Sequence, residues 1–388
     1  MKISKKEFLN NIWLLLIIIP FFKPDIIVSF TKLNYIFTIW QFASFIYIFV
    51  LYLKKGKISK FVLLFLLYYL ILLVATILNS GNINKWITNF TLYLGSILII
   101  EKYIKEDRIK ILRILVIIFY ALTIGNTISF IVFPNGLAQT EFLGTPIYML
   151  GIDNRFAFTY IPGLCVIGAY ELLKNKKIGK ITILYFIITF GTLLYFWSAG
   201  ALLVEALFII YFIFIYKMKI SISPKIYFVI AVLGFIALVF LRIQNVFSFL
   251  IVDLLHKDLT LSSRTLIWDR VIEIIEQNKM LGIGIQGSDE MHNMITAYHS
   301  HCDFLNILLQ SGFLGLGAYL IILYKGFANL TIYKNSHIAQ LIAFSIGVLL
   351  IMLLVDTFDI TANLFILICL AYNVKYLVEG KVGKNEKR

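Results

Sequence analysis

The sequence predicts an all-α polytopic membrane protein with about twelve transmembrane helices and a large extracytoplasmic loop carrying amphipathic helices. Three observations carry that prediction. The 388 residues are 60% hydrophobic and only 14% charged, against roughly 25% charged in soluble domains. Mean hydropathy is +0.90. Runs of about 20 apolar residues, the length that crosses a bilayer as a helix, recur along the chain.

Taken in order, the apolar spans are 8–22, 35–53, 60–78, 86–101, 109–133, 156–173, 181–197, 199–216, 226–241, 303–324, 338–355 and 360–378. The first is expected to stay in place rather than be cleaved as a signal peptide. Residues 12–22 run into Lys23, Pro24 and Asp25 without a small-residue cleavage pattern. The pair 181–216 is divided only by Ser198, Ala199 and Gly200. Connections alternate in charge. Lys2–Lys6, Lys54–Lys60, the 102–113 cluster, Lys174–Lys180, Lys217–Lys225, Lys325 with Lys334, and the tail from Lys375 hold 26 of the 35 Lys and Arg. Cytoplasmic connections carry that excess, so both termini are expected in the cytoplasm. The same punctuation explains the net charge of +14 without nucleic acid. Cys165, Cys302 and Cys369 are scattered, with no CxxC pair and no disulfide framework. The chain reads as one integral membrane domain over 1–388, without internal repeats or a soluble domain.

Two outer connections are long, at 134–155 and 242–302. Long loops in an economical bundle tend to carry function. The first holds Pro134, Gly136, Gly144, Pro146 and Gly151. In the second, Ser262 and Ser263 are good N-cap residues, and Leu266, Val271, Ile274 and Ile275 recur at helical spacing. This predicts an amphipathic helix over 263–280, lying on the membrane surface or capping the bundle. Leu281-Gly282-Ile283-Gly284 ends it.

Arg155, Arg242, Lys257, Arg264, Arg270 and Lys279 all fall on the outer side, against the topological bias. Arg264 stands in the first turn of its helix, where the dipole disfavours a cation. Arginine offers phosphate oxygens a planar donor fork and stays ionised. The pattern points to a pyrophosphate cluster of Arg155 and Arg264, with Arg270 a further member. The competing reading is contact with lipid headgroups or with Asp253, Asp258 and Asp269. Four of five histidines, His256, His292, His299 and His301, share the second loop. Gly312 and Gly315 lie 11 and 14 residues after His301, at about 20° and −40° if one helix holds all three. Small residues on that face would admit a neighbouring helix. His301 would then face outward, able to take a hydroxyl proton or to bond a phosphate; the alternative is a satisfied interfacial histidine. His299-x-His301 with Asp289, Glu290 and Asp303 raises a zinc reading, but no i, i+4 histidine pair supports it, and no metal is expected. Glu205 is the one acid well inside a span, without an obvious partner, and is a functional candidate on that ground.

Absences narrow the chemistry. There is no phosphate loop, no GxSxG nucleophile and no outer DxD for a metal-bound nucleotide sugar. A donor already activated on a lipid pyrophosphate would suit arginines without metal. A transporter or lipid-linked oligosaccharide flippase is the rival from another class, and a scaffold the plainest. Transporters place polar groups near mid-membrane, whereas here the polar weight lies at the outer face.

Ser262, Arg264, Trp268, Gly282, Gly284, His301, Gly312 and Gly315 together resemble the O-antigen ligase and polymerase superfamily (Wzy-type polymerases and lipopolysaccharide ligases). Its pattern is SxR, a Trp four residues after the Arg, a GxG turn, then His with GxxG opening a span. The chain departs at Cys302, where the family usually has Asn, Ser or Gln; the glycine spacing selects His301 over His299. Asn154-Arg155 resembles the family's first outer arginine, while Ser198-Ala199-Gly200 lacks the arginine many relatives carry there. The resemblance implies a GT-C-like fold and transfer of a glycan from an undecaprenyl-pyrophosphate-linked oligosaccharide, with no metal or other cofactor. It implies a bacterial plasma membrane location, and partner proteins that set chain length or flip the lipid-linked unit. Carried over by position, Arg155 and Arg264 would bind the donor pyrophosphate, and His301 would orient or deprotonate the acceptor hydroxyl. The catalytic candidates are therefore His301 and Arg264, and the substrate-binding candidates Arg155, Arg270, His299 and Trp268. Richness in Lys, Ile, Asn, Phe and Tyr suggests an AT-rich, Gram-positive source, which favours a capsular repeat-unit polymerase over a ligase that needs lipopolysaccharide.

Overall fold

A computed structural model describes residues 5–54, 57–140, 144–243, 264–357 and 362–380. The expected caps Ser262 and Ser263, together with His256, Lys257, Asp253 and Asp258, lie outside these residues.

The described chain is mostly helical, and each expected apolar span overlaps an apolar helix. Six helices are long and apolar enough to cross a membrane, and five shorter apolar ones accompany them. α1 (Lys5–Ile18) runs into a 3₁₀ turn, Ile19–Phe22, that contains Pro20. α2 (Thr31–Leu53) and α3 (Lys60–Leu78) follow. α4 (Ile83–Val132) covers two expected spans and is broken at Asp107, where the backbone leaves helical values. α5 (Ala157–Asn175) is central, with its whole apolar window buried, against 22% for the peripheral α2. α6 (Lys180–Phe196) ends on Trp197 in the left-handed conformation, and α7 (Ala199–Ile210) starts just beyond. α7 and α8 (Lys225–Phe235) continue as π-helical turns to Lys217 and Phe240.

Two buried carboxylates inside this bundle find hydrogen-bond donors, as an apolar medium favours. The Glu171 carboxylate accepts hydrogen bonds from the backbone N–H groups of Gly179, Ile181 and Thr182 and from the Thr182 hydroxyl. It thereby caps the start of α6, where a negative charge is favoured. Glu205 does have a neighbour: the Thr189 hydroxyl donates to its Oε1.

The connection over 134–155 contains a small antiparallel pair, β1 (Ala138–Gln139) with β2 (Pro146–Ile147), then a 3₁₀ turn over Asp153–Arg155. The connection over 242–302 contains α9 (Arg264–Gln277) and α10 (Ser288–Ile295). α9 overlaps the expected amphipathic helix, and its apolar face packs on α11 (Asp303–Ile332). The buried stripe is Trp268, Val271 and Ile275, at i, i+3 and i+7. Leu266, read from the sequence as part of that stripe, is exposed instead. α12 (His337–Met352), α13 (Asn363–Tyr372) and α14 (Val374–Val378) complete the chain.

One sequence expectation fails here. His301, Gly312 and Gly315 do not share a continuous helix face. His301 precedes α11 and is itself left-handed at φ 51°. Gly312 breaks α11 with φ 61° and ψ −167°. The break frees backbone groups that the 279–284 segment recovers. Phe313 N–H donates to Lys279 O, and Ile283 and Gly284 donate to Leu309 O and Gln310 O, all at 2.8–2.9 Å. A Cβ at Gly312 would lie 2.3 Å from the Met280 carbonyl. Gly312 thus lets a loop, not a helix, approach closely. The same loop reaches α3 and α4 through Ile285 N–H to Thr76 Oγ1 and Asn82 N–H to Ile285 O.

Gly312→Ala is therefore expected to lower stability by about 1–3 kcal/mol, adding a clash to left-handed strain. Gly317, on the same helix with nothing within 4 Å, is the control. Gly317→Ala should leave the midpoint of a fluorescence size-exclusion melt unchanged, while Gly312→Ala lowers it. Equal midpoints would contradict the packing role.

Candidate functional site

The site assembles where the histidine segment, the 149–155 turn and the 353–357 turn meet. Several bonds fix the histidine segment. Trp268 is fully buried, and its indole N–H donates to Ser300 O at 2.9 Å. Ser300 Oγ donates to Cys302 O, and Asp303 N–H to Leu353 O. The last of these draws the turn bearing Asp356 beside the histidines. Asp356 is buried, and Thr357 N–H donates to its Oδ1 at 2.8 Å.

The rings of His299 and His301 lie 4.1 Å apart. One ligand-type atom from each of His299, His301 and Asp356 falls within 4.8 Å of the others. Arg155 Nη2 stands 3.5 Å from His299 Nε2, and His301 N–H points at His299 Nδ1 at 3.3 Å. A neutral imidazole carries one proton, so it cannot accept at both nitrogens. With Nδ1 accepting, Nε2–H and the Arg155 guanidinium are two donors facing each other. The oxygen of an anion can accept from two such donors. Arg264 is largely buried; burial pulls its guanidinium below the ordinary value, and Asp356 opposes that.

Asp25, at the end of the first apolar segment, completes the rim. Ile26 N–H donates to Met149 O, and a Cβ on Gly151 would meet the Asp25 carboxylate at 2.7 Å. Burial pushes Asp25 up to about 6, with Arg155 and Lys23 holding it down.

The structure thus brings together Arg155, Arg264, His299 and His301, with Trp268 positioning rather than facing the opening. It does not bring in Arg270, which is exposed and pairs with Glu273 at 3.5 Å. Arg242 bonds Asp269 and stacks over Trp268. Asp356 and Asp25 were missed in the sequence. Each is an acid at the end of an apolar run, which was the available signal. The acids suggested for zinc are elsewhere: Asp289 and Glu290 are exposed, and Asp303 accepts from Tyr319. His299, His301 and Asp356 are zinc-type donors, yet two nearby guanidiniums set positive charge against a dication.

Burial, His299, Arg264 and Arg155 push the His301 imidazole down to about 3. It is neutral at physiological pH. The unfolded chain protonates this position near the ordinary value of 6.5. Between those values the unfolded state binds a proton that the folded state refuses, so stability is full above pH 6.5 and falls as the pH drops towards 3. His301→Gln is expected to shrink the fall in melting temperature between pH 7 and pH 5. An unchanged fall would show that another group sets it.

Fold and site define a helical membrane protein with a polar cluster, rich in arginine and histidine, at one end of its bundle. Residues 184–320 match the family model Wzy_C, O-antigen ligase, a likeness consistent with the O-antigen ligase and polymerase superfamily, whose members are glycosyltransferase-like enzymes. Arg264, Trp268, His299, His301 and the four glycines lie inside that match, whereas Asp25, Arg155 and Asp356 lie outside it. No curated protein and no solved structure matches the chain.

Proposed function

We propose that this protein is a repeat-unit polymerase of a capsular or O-antigen polysaccharide, with a GT-C-like fold of twelve crossings in a bacterial plasma membrane, both termini cytoplasmic. It transfers a growing glycan from undecaprenyl pyrophosphate to the next lipid-linked unit on the outer face, without metal. The observation that carries this reading is the facing pair of donors, Arg155 and His299 at 3.5 Å, beside Arg264 and a neutral His301. Such a set accepts a diphosphate and leaves a base next to it.

The chemistry balances within these residues. The acceptor hydroxyl oxygen bonds to the anomeric carbon as the bond from that carbon to the pyrophosphate oxygen breaks. The hydroxyl proton passes to His301, and undecaprenyl pyrophosphate leaves with its charge on Arg155 and Arg264. His301 in the free protein is a weak base. Burial is the main reason, and a bound diphosphate offsets the smaller contributions of Arg264 and Arg155, so substrate raises its basicity in part. Asp356 stabilises the imidazolium that forms. Asp25 holds Arg155.

The family description favours a second reading, a ligase that moves the glycan to lipid A-core. A radiolabelled lipid-linked repeat unit given to purified protein is expected to yield a ladder of longer chains. Single transfers to a core acceptor would establish the ligase instead. Movement across vesicles without any new glycosidic bond would leave a flippase.

A further inference from the structure

At the opposite end of the bundle lies a cavity of about 380 Å³ between the starts of α3 and α14 and the second half of α11. Lys325 is 22 residues beyond Asp303 along α11, roughly 33 Å at 1.5 Å per residue, so this cavity is remote from the histidines. Its volume is in the range of small-molecule sites, about 300–1,000 Å³. Lys60, Lys105 and Lys325 line it together with Tyr372 and Asn329, and Glu101 is its one carboxylate.

That carboxylate is already occupied. Lys105 pairs with Glu101 Oε1, to which Tyr52 OH also donates, and the Ser59 hydroxyl takes Oε2 at 2.7 Å. Lys60 and Lys325 are left with no acid of their own in the cavity. Lys60 also sits in the first turn of α3, where the dipole opposes a cation. Each of these two exposed lysines ends an exposed apolar stripe. Lys60 leads into Leu63, Leu67, Leu70 and Val74 on α3, and Lys325 follows Leu314 and Ile321 on α11. The two helices pack together.

We propose that this cavity binds the phosphodiester headgroup of an anionic phospholipid, its acyl chains lying along the stripes of α3 and α11. Cations above apolar stripes match a lipid, which presents both chemistries at one depth. A soluble phosphate would use the lysines and leave the stripes without a role.

Native mass spectrometry of the full chain in detergent reads this directly. Phosphatidylglycerol is expected to be retained at least tenfold more tightly than phosphatidylcholine. Lys60→Ala with Lys325→Ala should erase the preference, and the paired Arg replacements should keep it. Lys174→Ala with Lys177→Ala, on another exposed basic turn, should leave it intact. Glycerol 3-phosphate at matching concentration should not displace the lipid. Equal retention of the two lipids, an undiminished preference in the double Ala protein, loss in the control pair, or displacement by glycerol phosphate would each overturn the assignment. Glycan transfer is not the readout, so this result is independent of the proposed activity.

Discussion

Arg264→Ala is expected to abolish chain growth in cells while the protein still inserts and accumulates. Removing one donor that stabilises developing charge costs about 10²–10³ in rate at comparable sites, and Arg264 is a largely buried guanidinium. Its loss should not unfold the protein. α9 is held by Trp268, Val271 and Ile275, and none of these depends on the arginine. Arg264→Lys should recover only a small fraction of activity, because a point charge does not reproduce a planar fork that spans two phosphate oxygens. Polymer length on gels, normalised to protein in the membrane, is the measurement. Full activity with lysine would show that charge alone was required. Full activity with alanine would remove the diphosphate reading. Arg270→Ala is the internal comparison. That side chain is exposed and paired with Glu273, so its removal should change activity less than twofold.

The contrast between these two arginines shows what a sequence can and cannot disclose. Both break the charge bias expected from the sequence, and nothing in their local pattern ranks them. Rank comes from helical phase, and phase depends on which residue the core accepts. Leu266 looked like the anchor of α9, but the larger Trp268 fills the buried position and turns Arg270 to solvent. Apolar spans were legible because bilayer thickness imposes a length that any window detects. The break at Gly312 was not, because its cause is a segment some thirty residues upstream whose N–H and C=O groups replace those of the helix. Asp356 was hidden for a similar reason. It is 55 residues from His301, and only the bond from Asp303 N–H to Leu353 O places it alongside. The histidine and the first arginine stand out in the sequence because their residue types are costly beside a membrane and need a reason to be there.

His301→Ala and His299→Ala are expected to separate the two roles that one segment combines. His301 is the base in the proposed transfer, so its loss should lower the rate by about 10²–10⁴ with little change in donor binding. His299 faces Arg155 across 3.5 Å and in the proposed complex would share a diphosphate oxygen with it. Its loss should weaken donor binding, raising KM more than it lowers kcat. Asp356→Asn keeps the shape and the bond from Thr357 N–H but removes the charge that stabilises imidazolium. It should therefore follow His301→Ala in kcat, to a smaller degree, and leave KM nearly unchanged. Purified protein with a defined lipid-linked donor and acceptor gives both constants. If His299→Ala lowers kcat more than His301→Ala does, the base and the binding residue exchange places. If neither histidine affects kcat, proton transfer is not their work, and the neutral imidazole beside two guanidiniums has to be read as a structural element of the anion pocket.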